Sequence, residues 1–218
     1  MRKRLKFLVL GLVAFAAICI AAPAHAIPAL QLYSPGAVYD AGSETWITNS
    51  SSFELWVVAS VKMYNVKLIG ALEKGADPNA GTLDIGSSSY TGIGGPNGFT
   101  YGNPGLPPHG IYPTYYVKKG IGNFTALTPN TIADFGSSFV WGTTPLNKKG
   151  QIKKFQIDIS GFSSVHFDAF GYDTKFRFRK APFSHDAQSG GAVPEPTSMA
   201  LFGIGLASAG LYRRLRRK

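Results

Sequence analysis

The chain has 218 residues, a formal net charge of +10 and one cysteine, Cys19, so no internal disulfide framework can form. Most of the excess charge lies at the two ends, because residues 27–192 contain 13 basic and 11 acidic side chains, a net charge of +2. That balance argues against a nucleic-acid-binding surface and indicates that the basic termini serve a membrane.

Residues 1–26 have the pattern of a secretory signal peptide. Four basic residues lie within the first six positions, an apolar run follows over residues 7–20, and Ala24 and Ala26 supply small residues before Ile27. The apolar run is shorter than the roughly 20 residues that a membrane span needs. We expect export through the Sec translocon and cleavage by signal peptidase immediately before Ile27.

Residues 27–192 predict one β-rich exported domain. Apolar and polar residues alternate with period 2 over 152–160, 165–169 and 176–179, and no sustained helical periodicity occurs. We expect an antiparallel β-sandwich or a jelly roll, in which each of these strands has one buried and one wet face. The pattern assigns Phe176 and Phe178 to a buried face.

Between residues 86 and 117 the alternation gives way to a long segment rich in glycine and proline. A loop of this length in a compact domain is usually functional or disordered. Tyrosines within it allow two interpretations: they open a strand and pack on the core, or they form an aromatic platform for a sugar ring or a surface partner. The candidate platform residues are Tyr101, Tyr112, Tyr115 and Tyr116.

The exported domain contains three histidines, His109, His166 and His185, and they form no recognised catalytic or metal-binding motif. His166 and Asp168 share a strand face, a spacing that could hold a metal or orient an imidazole, but the alternation predicts that both lie on the wet face. His185 and Asp186 are adjacent in sequence, and adjacent side chains seldom point at one target. We therefore expect no metal site and no cofactor.

Common catalytic signatures are also absent from the sequence, so we expect no enzyme activity and assign no catalytic residue. A glycan-acting hydrolase stays open as an alternative, because two carboxylates suffice for glycoside hydrolysis and sequence spacing does not exclude them. Three lysine pairs, at 118–119, 148–149 and 153–154, suit solvated strand edges and turns. Gathered on one face, they would favour an acidic exopolysaccharide as partner.

The last segment, residues 193–218, contains three unlike elements in order. They are the tetrapeptide Val193, Pro194, Glu195 and Pro196, an apolar stretch over 199–212, and the basic residues Arg213, Arg214, Arg216 and Arg217. A helix over the apolar stretch would be about 22 Å long, short for a hydrocarbon core of about 30 Å. We expect a short transmembrane helix whose arginines stay in the cytoplasm.

These three elements resemble the PEP-CTERM sorting signal of Gram-negative bacteria. The resemblance implies recognition by an exosortase, a membrane-embedded cysteine protease or transpeptidase, and cleavage near Pro194, Glu195 and Pro196. It further implies a transient inner-membrane intermediate and delivery to the cell surface or to an extracellular exopolysaccharide matrix, as in a biofilm.

Several stretches of the exported domain resemble the bacterial surface proteins called choice-of-anchor, most closely type N. The stretches are residues 27–33, 53–57, 107–113, 164–168 and 181–186. The resemblance implies a surface protein and no assigned chemistry. We therefore expect a non-catalytic structural or adhesive role at the surface or in the matrix, with a carbohydrate-binding module and a glycan-acting hydrolase as alternatives.

Overall fold

The computed structural model describes residues 27–106 and 110–190. The signal peptide, the sorting segment 193–218 and His109 lie outside the described residues, so the structure does not test the expectations for them. The described part of the chain is all β, with one short 3-10 turn at Phe183–His185. Its residues include no helix of the length and apolar character that a membrane span requires.

Fourteen strands form the fold. In chain order they are β1 (Leu30–Tyr33), β2 (Val38–Asp40), β3 (Thr45–Thr48), β4 (Ser52–Ala59), β5 (Met63–Leu72), β6 (Thr82–Ile85), β7 (Ser88–Tyr90), β8 (Thr100–Gly102), β9 (Thr114–Phe124), β10 (Thr128–Ile132), β11 (Lys148–Ser160), β12 (Ser164–Asp173), β13 (Phe178–Lys180) and β14 (Asp186–Gly190).

The strands belong to two sheets. The first sheet has six strands in the order β1-β4-β11-β6-β7, with β10 also paired to β11, and all of its pairs are antiparallel. The second has eight strands in the order β2-β3-β14-β12-β5-β9-β8, with β13 also paired to β12. In the second sheet β14 runs parallel to β3, whereas the other named strand pairs are antiparallel, so the expected antiparallel architecture is confirmed with one parallel pair.

The main hydrophobic core lies between the inner faces of the two sheets, which confirms the all-β sandwich. In β12 the alternate residues Val165, Phe167 and Ala169 are fully buried in this core. Phe53 on β4 meets Phe167 edge to face, with ring centroids 6.0 Å apart, and so joins the two sheets. Burial of alternate apolar side chains is the pattern that the sequence shows over residues 165–169.

An aromatic cluster closes one end of the sandwich. Tyr33 lies within 4.8 to 6.0 Å, centroid to centroid, of five other rings, which belong to Trp46, Trp56, Phe135, Phe139 and Trp141. The indole of Trp46 donates a hydrogen bond of 2.7 Å to the carbonyl of Phe135. The loop between β10 and β11 therefore packs over this end as part of the core.

Gln31 fastens the same loop. Its side chain is fully buried, its amide donates to the carbonyl of Ala133 at 3.3 Å, and its carbonyl accepts from the backbone N–H of Phe135 at 2.7 Å. A buried backbone group without a partner costs about as much as a lost hydrogen bond, so this glutamine satisfies two groups that the loop cannot pair within itself.

A second, smaller hydrophobic cluster covers the outer face of the eight-stranded sheet. Ile69 and Ala71 of β5 are fully buried there, beneath Leu106 and Tyr112 from the glycine- and proline-rich segment. We call residues 103–113 the covering loop, of which 107–109 lie outside the described residues. This sheet is therefore packed on both faces over part of its area.

Gln31→Ala is expected to lower the free energy of unfolding by about 1–3 kcal/mol for each of the two buried groups that it leaves unpaired. Urea denaturation followed by circular dichroism measures the loss. The matched control is Gln156→Ala, because Gln156 is exposed and its amide donates to Ser52 at the surface; we expect a change within about 0.5 kcal/mol there. Equal losses in the two variants would contradict the assignment of Gln31 as the fastener of the loop.

Candidate functional site

A polar cluster lies under the covering loop, on the outer face of the second sheet. It consists of His166, Asp168 and Asp186, which are 7%, 3% and 1% exposed. His166 and Asp168 lie two positions apart on β12 and so share a face. Because Phe167 pairs with Ala187 across to β14, the next position brings Asp186 beside Asp168.

The expectation that His166 and Asp168 lie on a wet face is wrong. Their face is the outer one, as predicted from the inward-facing Val165 and Phe167, but the covering loop packs on this face and shields it from solvent. Period-2 alternation identifies two faces of a strand and does not reveal whether a distant segment covers the second one. Asp186 was missed for the same reason, since only the fold places it beside β12.

Three donor atoms converge in this cluster. The Nε2 atom of His166 lies 3.7 Å from Oδ2 of Asp168 and 3.6 Å from Oδ2 of Asp186. The nearest donor atoms of the three residues all lie within 4.8 Å of one another. These are charge contacts in a buried, low-dielectric setting, where electrostatic interactions are stronger than in water.

Tyr112 ties the covering loop to the cluster. Its hydroxyl donates a hydrogen bond of 2.7 Å to Oδ2 of Asp168. Burial raises the pKa of the Tyr112 hydroxyl far above its ordinary value, and the charge of Asp168 raises it further. The phenol therefore remains protonated, and a hydrogen-bond donor, at neutral pH.

The cluster also changes the protonation of its own members. Burial disfavours the charged imidazole, but the two neighbouring carboxylates outweigh that effect and raise the pKa of His166 to about 10. Burial raises the pKa of Asp186 to about 8, with the charge of Asp168 in the same direction and His166 opposing it. Such an arrangement retains protons at neutral pH and can exchange them for another cation.

His185 and Asp186 point in different directions, as the sequence predicts for adjacent residues. Nε2 of His185 contacts Oδ1 of Asp134 at 2.6 Å, and its Nδ1 lies 2.8 Å from the hydroxyl of Ser184. His185 thus belongs to a separate pair with one carboxylate, whereas Asp186 joins the cluster around His166.

The four candidate platform tyrosines form two pairs on opposite faces of the second sheet. Tyr101 pairs with Tyr115 at 5.1 Å, and Tyr115 packs against the main core. Tyr112 and Tyr116 contact each other at 6.4 Å on the outer face. With Tyr101 62% exposed and Tyr112 buried, the four rings do not form a single platform. Tyr115 and Tyr116 instead open strand β9 and pack on the hydrophobic clusters, which is the other interpretation that the sequence allows.

A different aromatic surface lies on the outer face, beside the covering loop. We call it the aromatic–basic strip, defined by Tyr116, Lys118, Phe170, Tyr172 and Phe178. The ammonium of Lys118 lies 5.9 Å from the Tyr116 ring centroid and 5.6 Å from that of Phe170. The ring of Phe178 lies 5.4 Å from that of Phe170 and 6.0 Å from that of Tyr172.

The sequence-based assignment of Phe176 and Phe178 to a buried face is wrong. Phe178 is 41% exposed on the strip, and Phe176 is 87% exposed in the turn before β13. Phe176 has a positive φ of 55°, because it lies in the tight turn that returns β12 to β13. Alternation over four residues around a turn does not specify a strand.

Asp173 holds this hairpin together. Its carboxylate accepts hydrogen bonds from the backbone N–H of Lys175 and of Arg177, at 2.8 and 3.1 Å, and from the guanidinium Nε of Arg177 and of Arg179, at 2.8 and 3.0 Å. Burial would raise its pKa, but these four donors together hold the pKa of Asp173 well below its ordinary range.

The three lysine pairs do not gather on one face. Lys118 and Lys119 belong to β9 of the second sheet, while 148–149 and 153–154 belong to β11 of the first. Lys153 donates to the carbonyl of Ile121, and Lys154 lies 3.3 Å from Glu54. Among the six lysines, Lys118 alone contributes to the aromatic–basic strip.

Comparison with known proteins yields one finding. The family model of the PEP-CTERM protein-sorting motif matches residues 192–218. No curated protein and no solved structure matches the chain. The protein therefore carries an exosortase sorting signal and is exported to the cell envelope or surface, while the choice-of-anchor resemblance of the domain stays a prediction.

Asp173→Asn is expected to destabilise the hairpin at neutral pH, because the neutral amide attracts the two guanidinium groups less strongly. A carboxylate with a lowered pKa stabilises the fold above its unfolded-state pKa of about 4 and loses that contribution as the pH falls below it. The difference in thermal midpoint between wild type and Asp173→Asn should therefore shrink from neutral pH to about pH 2.

Differential scanning calorimetry at both pH values makes the comparison. The control is Asp77→Asn, which alters a carboxylate in an exposed turn that accepts from Asn79. A difference for Asp173→Asn that stays constant across the pH range would contradict the role of its charge.

Proposed function

We propose that this exosortase-sorted domain acts without catalysis at the cell surface or in the extracellular matrix, by holding an anionic polysaccharide on the aromatic–basic strip. The sorting motif supports the location, because an exosortase substrate is exported to the envelope or surface. The observation that carries the proposed binding role is the combination of exposed rings and cations on one face of the second sheet.

Exposed rings suit a sugar ligand. Tyr172 and Phe178 are 39% and 41% exposed, although large apolar side chains more often lie inside a fold. The ring of Phe178 contacts those of Tyr172 and Phe170, and the pairing of β12 with β13 fixes their positions. Rigid aromatic side chains supply contact area at a low cost in conformational entropy.

The charge of the same hairpin favours an anionic polymer. Residues 170–182 contain four basic side chains, Lys175, Arg177, Arg179 and Lys180, against the single acid Asp173. Lys118 adds a further cation within the strip itself. Arg177 and Arg179 are bound to Asp173, and Arg179 alternates with Phe178 and so lies on the other face. Lys118 and Lys180, which lies opposite Phe170, are the cations on the face of the strip, and they attract acidic sugars in a manner that salt screens.

A glycan-acting hydrolase receives less support. The two carboxylates in the cluster, Asp168 and Asp186, are 3% and 1% exposed and lie beneath the covering loop. A glycosidic bond within a polymer must reach both catalytic carboxyl groups. The cluster is too enclosed for that purpose.

A second candidate binding surface is the Tyr101–Tyr115 pair. Tyr101 is 62% exposed at the edge strand β8, and the two rings stand edge to face at 5.1 Å. This pair retains the carbohydrate-binding interpretation of the glycine- and proline-rich segment, at a place separate from the strip. Contact with aromatic rings alone suits a neutral sugar.

Binding of the secreted protein to sodium alginate, an anionic polysaccharide, and to dextran, a neutral one, tests the proposal by biolayer interferometry. We expect Phe178→Ala to weaken alginate binding about tenfold, equivalent to about 1.4 kcal/mol, while the circular dichroism spectrum stays unchanged. Raising the salt concentration should weaken binding further.

Tyr101→Ala is the matched control, because it also removes an exposed ring from an edge of the second sheet. Loss of binding in Tyr101→Ala with retention in Phe178→Ala would transfer the role to the Tyr101–Tyr115 pair. Release of reducing ends from alginate by the wild-type protein would contradict the non-catalytic role.

A further inference from the structure

The cluster under the covering loop has the donor set of a metal centre. One imidazole nitrogen and two carboxylate oxygens, from His166, Asp168 and Asp186, lie within 4.8 Å of one another, and all three residues are more than nine-tenths buried. Two of the donors come from adjacent outward positions of β12 and the third from the first residue of β14, so sheet pairing fixes them.

The spacing fits a tetrahedral ion. With bonds of about 2.1 Å, neighbouring ligands of a tetrahedral zinc ion lie about 3.4 Å apart. The Nε2 atom of His166 lies 3.7 and 3.6 Å from the two carboxylate oxygens, a few tenths of an ångström from that value. The donor oxygens of Asp168 and Asp186 lie within 4.8 Å of each other, so metal binding would bring these two carboxylates closer by up to about 1.4 Å.

A second observation indicates a missing partner. Oδ1 of Asp186 is buried and accepts no hydrogen bond from any residue that the structure describes. Buried polar atoms in native proteins nearly always have a partner, whether protein, water or ion. An ion bound by Asp186 provides that partner, either directly or through a coordinated water.

The charge and the donor types of the cluster also favour a metal ion. Fully deprotonated, two carboxylates and one imidazole carry a charge of −2, which a dication balances, so a metal would take the place of the protons that the cluster retains without one. The donor set narrows the choice of ion, because calcium and magnesium prefer oxygen ligands alone, whereas an imidazole nitrogen suits the transition-series dications.

The surroundings supply the two remaining requirements of a metal site. Tyr112 donates to Oδ2 of Asp168 at 2.7 Å and so orients a ligating carboxylate from outside. A cavity of about 380 Å³ adjoins His166 and Asp186 and is also lined by Glu44 and Ile111. It provides an access route and room for a water on the remaining coordination position.

We propose that His166, Asp168 and Asp186 bind one divalent transition-metal ion, with zinc as the reference ion, and that Tyr112 couples this site to the covering loop. The metal then fastens the loop to the outer face of the second sheet, in a domain that has no cysteine for the purpose. This inference is independent of polysaccharide binding at the aromatic–basic strip.

Isothermal titration of the full chain with zinc chloride, after treatment with a chelator, tests the proposal. We expect one ion per chain, no saturable binding by Asp186→Asn, and about tenfold weaker binding by Tyr112→Phe. The matched control is Asp134→Asn, which breaks the separate contact with His185 and should leave zinc binding unchanged.

If Asp186→Asn does not fold, metal binding is tested by the visible absorption of the wild-type chain after addition of cobalt(II). Tetrahedral cobalt with nitrogen and oxygen ligands absorbs in the visible range, and we expect one equivalent to produce that band. The proposal is overturned if the wild-type chain binds neither ion, or if a folded Asp186→Asn binds zinc as the wild type does.

Discussion

The hydroxyl of Tyr112 donates a hydrogen bond to Oδ2 of Asp168, and this buried contact ties the covering loop to the polar cluster on the outer face of the eight-stranded sheet. Most antiparallel sheets in a sandwich bury one face and leave the other to solvent. Here the loop buries part of the second face as well, over Ile69 and Ala71. The polar cluster, the cavity beside it and the edge of the aromatic–basic strip all depend on that cover.

Covering the cluster has an energetic cost that the structure must offset. Ionisable groups lose hydration when they are buried, and pairing repays the loss only if the geometry is good. The pKa of His166 is raised to about 10 and that of Asp186 to about 8, so both side chains retain a proton at neutral pH. Replacing these residues by apolar ones of similar size would satisfy packing, so their presence favours a role in holding a cation.

The two faces of the second sheet therefore have different roles. Its inner face, with Val165 and Phe167 on β12, builds the main core and fixes the strand positions. Its outer face carries polar and aromatic residues of both proposed binding sites, from His166 to Tyr172 on the same strand. Because the inner residues are fully buried, the outer ones stand on a rigid support, which both binding proposals require.

The sequence predicts the all-β class and the inner face of β12 correctly, since local alternation determines both. It does not predict that the covering loop packs on Ile69, nor that Asp186 lies beside Asp168, because those contacts join segments far apart in the chain. The sequence also does not predict that Phe178 is exposed, because a turn at Phe176 reverses the direction of the chain and interrupts the alternation. The sorting motif at residues 192–218 is recognised from local residues alone, because it is linear.

Hydrogen exchange of the backbone amides tests most directly whether the Tyr112 contact holds the covering loop in place. In Tyr112→Phe, which keeps the ring and removes the hydroxyl, we predict faster exchange at the described loop amides, including Gly105 and Leu106. Strands β4 and β11 of the first sheet should exchange as in the wild type. Unchanged protection throughout the loop would contradict the central role given to this hydrogen bond.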